Sequence, residues 1–306
     1  MNKKFAELAK KSKVIVIKVG SNILVNEKHS LRKKWLASLV EDVQKLQRKG
    51  SKIIIVSSGA IALGRKILSK KKLTNLHEKQ AAASIGQIQL SQEWQKAFAK
   101  CKIQSSQILI TAEDLNERRK YLNIRNTIYS LMDLNVVPII NENDTTSTEE
   151  IRFGDNDKLS AMIANVLSAE LLILLSDVNG LYTSNPKKSA QAKLITSVEE
   201  VNQQIEKYID KDLSEFGSGG MLAKVNAAKL CIQSGSTMII SNGLVNSPLG
   251  NIHPKSSTWF LPSKNILTSR QQWIWNRPIQ KAILHIDEGA AKALKKNSSL
   301  LAIGVK

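Results

Sequence analysis

The feature that most limits what this chain can fold into is an alternation of two hydrophobic periods between Val14 and Ser241. Short apolar runs occur at Val14–Val19, Lys52–Val56, Ser106–Ile110, Val136–Ile140, Leu171–Leu175 and Thr237–Ser241. Between them lie stretches with helical spacing. Over Leu31–Arg48, for example, Leu31, Trp35, Leu36, Leu39, Val40, Val43 and Leu46 fall on one face, and Gly50 follows as a stop. Further helices are expected over Glu78–Phe98, where Ala81–Ala83 and Gly86 permit close packing, and over Tyr121–Leu134, Asp157–Leu167 and Leu222–Ser234. Strands that alternate with helices form a mainly parallel sheet with helices on both faces. The expected fold class is therefore α/β, a three-layer αβα sandwich around a mainly parallel central sheet.

Open α/β sheets bind ligands at the carboxyl ends of their strands, and each such end in this chain carries polar residues. The most unusual is Asn141–Asp157, NENDTTSTEEIRFGDND. In a chain of net charge +19, Glu142, Asp144, Glu149, Glu150, Asp155 and Asp157 crowd around one base, Arg152. A solvated acidic loop is the bland explanation. Against it, Asn141, Asn143, Thr145, Thr146, Thr148 and Asn156 supply hydrogen-bonding groups, and crowded carboxylates need positive partners: lysines, an amino-acid substrate, or a magnesium ion.

Lys18 stands inside an otherwise apolar strand, which is unfavourable unless its ammonium finds a partner or snorkels to water. The turn Gly20-Ser21-Asn22 after it has the form of an anion cradle. Gly59 to Gly64 has the glycine spacing of a P-loop, but Arg65 and Lys66 stand where Lys and Ser/Thr are required. The better reading is a Ser57–Ala60 turn whose amides face a ligand at a helix start. Ser176-Asp177 follows another strand before Gly180. Gly217–Gly220 precedes a helix with Lys224 in its first turn, where a cation opposes the helix dipole. A phosphate between that lysine and the glycine amides would resolve the conflict.

Composition narrows the classes. The chain has 306 residues, enough for one large or two ordinary domains. No apolar run approaches the roughly 18 residues that span a membrane, and Val14–Val19 is too short for a signal-peptide core; the expected location is cytoplasmic. Cys101 and Cys231 are far apart, and His29, His77, His253 and His285 are scattered, so no metal-ligand set is expected. The net charge of +19 invites a nucleic-acid reading, but the lysines are spread through most helices and not gathered in one block. A general lysine bias is the commoner cause, and attraction of an anion such as ATP is also compatible. Residues 246–280 are rich in Pro, Ser and Trp, with Trp259, Trp273 and Trp275 beside Lys264, Arg270 and Arg277. They read as a packed linker more than as a nucleic-acid face. Residues 279–306 read as strand (Ala282–Ile286), helix (Glu288–Lys295), strand (Leu300 onward), too few elements to close a core.

VIKVGSNIL (16–24), VSSGAIALGR (56–65), NENDTTSTEEIRFGDNDKLSA (141–161), LLSDVNGLYTSNP (174–186) and GSGGMLAKVNAA (217–228), in this order, resemble the amino acid kinase family. NEND followed by GDND resembles its glutamate-phosphorylating branch. The resemblance implies ATP and Mg2+, with L-glutamate as acceptor. It implies catalytic roles for Lys18, Lys224 and Asp157, the last orienting both lysines. It implies acceptor binding by Ser58, Gly59, Asp144 and Asn156. Nucleotide binding is implied for Lys18, Gly20, Ser176, Asp177, Ser218, Gly219, Gly220, Met221, Leu222, Ala223 and Lys224. It also suggests a homo-oligomer, with proline as feedback inhibitor. The expected division is a catalytic domain over 1–260, a linker over 261–278 and, over 279–306, the beginning of a PUA-like domain; RNA binding through so incomplete a module is not expected.

The residues agree with this chemistry. A carboxylate acceptor is already ionised at neutral pH and needs no general base, and either Asp144 or Glu150 can pair with an α-ammonium. Two other readings remain: an RNA-binding or regulatory protein on the same scaffold, and a kinase acting on another amino acid or carbamate.

Overall fold

The computed structural model describes residues 1–70, 72–147, 156–186, 188–210, 220–263, 285–295 and 298. The chain divides into two compact units, Met1–Asn276 and Arg277–Lys306. Of the second, the helix Glu288–Lys295 forms as its sequence suggests. The flanking strands expected there, the whole acidic segment from Thr148 to Asp155 and most of the expected linker lie wholly or largely outside the described residues.

The first unit is built on an eight-stranded sheet in the order β3-β4-β2-β1-β5-β7-β8-β6. The strands are β1 (Val14–Val19), β2 (Lys52–Ser57), β3 (Ser105–Ile110), β4 (Val137–Glu142), β5 (Leu171–Ser176), β6 (Ser197–Val198), β7 (Thr237–Asn242) and β8 (Ser257–Phe260). The pairing is parallel except for β7 with β8, so the α/β expectation holds. β6 and β8 come from residues whose pattern does not announce strands. β8 (STWF) is buried at every position, and Trp259 packs into the core.

Side-chain alternation along the strands divides the interior in two. Ile15, Ile17 and Val19 of β1 join Ile53 and Ile55 of β2 on one face. That face is covered by α1 (Lys3–Lys11), α3 (Lys33–Gln47) and α5 (Leu76–Lys100) through Phe5, Leu39, Trp94 and Phe98. Val16, Ile54 and Val56 belong to the other face, covered by α6 (Arg118–Asp133), α7 (Asn156–Val166) and α9 (Met221–Ser234). The short α2 (Ser21–Leu24) and α4 (Ala60–Ile67) follow β1 and β2, and α8 (Gln203–Asp210) precedes α9. Lys18, two residues beyond Val16, therefore points to the α7–α9 side. The period of two in the strand assigns its direction.

Two contacts position the site. α4 lies against α5 so closely that a Cβ on Gly64 would overlap the Ala82 carbonyl, and one on Gly86 the Ala60 carbonyl. The second glycine of the P-loop-like spacing thus serves helix packing. The first, Gly59, has φ +117°, which a side chain tolerates poorly. The indole of Trp94 on α5 donates to Ser57 Oγ at 2.9 Å, tying the end of β2 to that helix.

Candidate active site

The carboxyl ends of β1, β2, β4 and β5 open into a cavity of about 990 Å³, at the upper end of the range for ligand sites and large enough for two small molecules side by side. β1 supplies Lys18 and Gly20; β2 leads into Ser58 and Gly59; β4 ends in Asn141 and Glu142, with Asp144 beyond; β5 leads into Ser176 and Asp177. α9 contributes Gly220, Met221 and Lys224. Topology alone gathers these segments, because β1 has β2 on one side and β5 on the other. The connection leaving β1 runs to β2 and the one leaving β5 runs the opposite way, to β6, and such switch points open a crevice.

At the back of the cavity Asp157, in the first turn of α7, bridges two ammonium groups. Lys18 Nζ lies 2.6 Å from Oδ1, and Lys224 Nζ lies 2.9 Å from Oδ2. All three side chains are buried: Lys18 is 8% exposed, Lys224 7% and Asp157 1%. Burial alone would raise the pKa of Asp157. The two ammonium groups more than offset it and hold the carboxyl below its ordinary range. Asp157 thus does more than suit the dipole of its own helix. It is the partner that makes a lysine inside β1 and another in the first turn of α9 tolerable, and Lys18 does not snorkel to water. These three groups together carry one net positive charge in a nearly dry site, where an anion is strongly favoured. A Cβ on Gly20 would sit 3.6 Å from Lys18 Nζ, so any longer side chain there would occupy the space in front of that ammonium.

The other end is a hydrogen-bonded amide network. Asn156 Nδ2 donates to Ser58 Oγ at 2.7 Å, to Asn141 Oδ1 at 2.9 Å and, more weakly, to the Ser57 carbonyl at 3.3 Å. Asn141 Nδ2 in turn donates to Gln87 Oε1 at 2.8 Å. Two of the three acceptors of Asn156 carry no proton, which fixes this orientation of the amide. Its own Oδ1 is left buried without a donor among the described residues, an arrangement disfavoured unless a ligand donates to it. Asp144 is 9% exposed. Burial, then the nearby Glu142 carboxylate, push its pKa up to about 7. A cation seated against Asp144 would restore its charge.

Ser58, Gly59, Asp144 and Asn156 therefore share one cavity with Lys18, Gly20, Ser176, Asp177, Gly220, Met221 and Lys224. Leu222 and Ala223 are not among its lining residues, and Leu222 is exposed. Ser218 and Gly219 lie outside the described residues, as does Glu150, the alternative to Asp144. Among the lining residues that carry no site expectation from sequence are His29, Arg65, Lys72, Lys79 and Tyr182. Arg65 was set aside only as the wrong residue for a P-loop. Among the described residues no group of three or more His, Cys, Asp or Glu side chains converges to hold a metal ion, and no helix is long and apolar enough to cross a membrane.

The amino acid kinase family profile matches residues 13–242. Glutamate 5-kinase of Pelagibacter ubique is 48% identical over 299 residues, covering 97% of this chain and 81% of that protein. Glutamate 5-kinase of Paramagnetospirillum magneticum is 43% identical over 96% of this chain and 80% of its own. Among solved structures, a carbamate kinase from Giardia lamblia bound to AMP-PNP superposes with a TM-score of 0.58 at 18% identity, over 83% of this chain and 100% of that one. At that identity it shares the fold.

Proposed function

The chain belongs to the amino acid kinase family, and from that premise we propose how its site carries out the reaction. The chain transfers the γ-phosphoryl group of ATP to the side-chain carboxylate of L-glutamate. The product is L-glutamyl 5-phosphate, and the reaction is the first step of proline biosynthesis. The observation that carries the mechanism is the Lys18–Asp157–Lys224 bridge.

Phosphoryl transfer asks a protein for position and charge neutralisation. Lys18 and Lys224 reach the transferring group from β1 and from α9, and Asp157 fixes both ammonium groups before substrate arrives. The nucleotide extends along Ser176, Asp177 and Gly220, the last at the start of α9. A Mg2+ ion carried by the nucleotide would neutralise phosphate charge there. At the other end Asp144 takes the α-ammonium of glutamate, Asn156 Oδ1 accepts from the same group, and Ser58 and Gly59 line the path of the side chain. The acceptor carboxylate, with an ordinary pKa near 4.3, is already charged at neutral pH, so no residue need remove a proton. We place the reaction in the cytoplasm. A homo-oligomer and inhibition by proline also belong to the proposal, on family likeness; sedimentation velocity and a proline titration test them.

The deciding assay is glutamate-dependent ADP release with Mg-ATP, trapping the acyl phosphate with hydroxylamine, with aspartate, N-acetylglutamate and carbamate alongside. Hydroxamate formed with glutamate alone is the expected result. Turnover with another acceptor and none with glutamate would overturn the substrate assignment.

A further inference from the structure

An amino-acid acceptor carries three charged groups, and the roles above account for two. The side-chain carboxylate goes toward Lys18 and Lys224, and the α-ammonium toward Asp144. The α-carboxylate has no partner yet, and carrying it into a half-enclosed cavity without one would be unfavourable. Cationic side chains that line the cavity apart from the catalytic pair are Arg65, Lys72 and Lys79.

Arg65 is distinguished among them. Lys72 is exposed, whereas Arg65 is half-buried and its Nε is fully buried with no hydrogen-bond acceptor. No carboxylate pairs with Arg65 among the described residues. Among the described residues the hydrogen-bond partners of its guanidinium are the ring nitrogens of His29, with Nη2 3.3 Å from Nδ1. Burial first, then Arg65 and Lys66, lower the pKa of His29, so this neighbour accepts from the guanidinium but does not neutralise it. A planar, permanently charged fork with spare donors is suited to bidentate capture of a carboxylate. Position agrees. Arg65 lies six residues into α4 from Gly59, about 9 Å along the axis, and helical side chains lean back toward the N-terminus. Here that is the end carrying Ser58 and Gly59.

We propose that Arg65 is the subsite for the α-carboxylate of the acceptor, with Lys79 supplementing the positive charge on the same cavity. This rests on the glutamate reading above and deepens it. Asp144 and Arg65 then read the two α-substituents with opposite charge, which selects a free amino acid with both α-groups charged.

The test compares L-glutamate with its α-amide, which keeps the α-ammonium and the side-chain carboxylate but loses the α-carboxylate charge. In the unaltered protein the α-amide should show a KM roughly 10- to 100-fold higher, the loss expected for one charge-assisted contact. Arg65→Gln should raise the glutamate KM by a similar factor while leaving the α-amide KM and the KM for ATP nearly unchanged. Arg65→Lys, which keeps charge without the fork, should fall between, and the ATP-induced rise in melting temperature verifies that each variant is folded. Equal losses for both acceptors in Arg65→Gln, or an unaltered protein that accepts the α-amide as readily as glutamate, would overturn the subsite. If the unaltered protein makes no hydroxamate from glutamate, the function reading falls and the subsite with it. If it makes hydroxamate and the variants leave the ratio untouched, only the subsite falls.

Discussion

Asp157 sits within 3 Å of two ammonium groups and is nearly inaccessible to water, so removing its charge affects both stability and chemistry. Asp157→Asn leaves two buried cations without their shared anion, and breaking a buried pair in this way costs about 3–5 kcal/mol. Urea unfolding measures that loss. Lys224→Met should lower kcat by roughly 10²–10³-fold, the scale for one transition-state charge stabiliser, while changing the glutamate KM far less. Near-normal turnover would remove Lys224 from the phosphoryl site. Asp144 makes a pH-dependent prediction. Its folded pKa of about 7 lies above the ordinary 3.8. The protonated form therefore adds stability that is fully present below the unfolded pKa and lost as pH rises through the folded one. Asp144→Asn, neutral throughout, should melt higher than the unaltered protein at pH 8 and lose that advantage at pH 5. Glutamate binding needs the carboxylate. The KM of the unaltered protein should rise as pH falls below 7, and that slope should vanish in Asp144→Asn.

At the scale of elements, α4 and α5 form the lever that sets the Ser58–Gly59 turn. Their glycines meet backbone carbonyls directly, leaving no flexible side chain to absorb an added methyl. Gly86→Ala should destabilise by about 1–3 kcal/mol, the scale for overpacking. Because α4 must shift to relieve the overlap, the same variant should also raise the glutamate KM, although residue 86 does not line the cavity. Denaturant unfolding and acceptor titration of one preparation check both. Sequence reading noticed Gly86 as a small residue suited to close packing but could not name its partner. That partner is Ala60, 26 residues earlier, and its carbonyl leaves no trace in an amino-acid pattern. β8 escaped for a similar reason. Its four residues are too few to show a period, and only pairing with β7 and β6 makes them a strand.

At the scale of the molecule, a net charge of +19 surrounds a site that receives an anionic nucleotide. Raising ionic strength from about 20 mM to about 300 mM shortens the screening length from roughly 20 Å to roughly 6 Å. The KM for ATP should rise over that range with kcat little changed, as expected if the dispersed lysines steer encounter and the buried pair performs the chemistry. Steady-state kinetics in sodium chloride separate the two, and a salt-independent KM would assign the surface charge no such part.

The sequence by itself determined the alternation of strands and helices, and hence a parallel sheet whose carboxyl ends carry Gly20, Ser58, Asp144 and Ser176. Period and turn chemistry are local properties and can be read along the chain. The period of two even implies that Lys18 shares a face with Val16. Only the tertiary structure decided that Lys18 and Lys224, more than two hundred positions apart, meet on one carboxylate. Tertiary structure also turned Asn156 to hold Ser58 and Asn141, and brought Arg65 and His29 to the same cavity. Partners of that kind are chosen by strand order and helix packing, which bring distant segments within hydrogen-bonding range, and a linear pattern carries no record of distance in space.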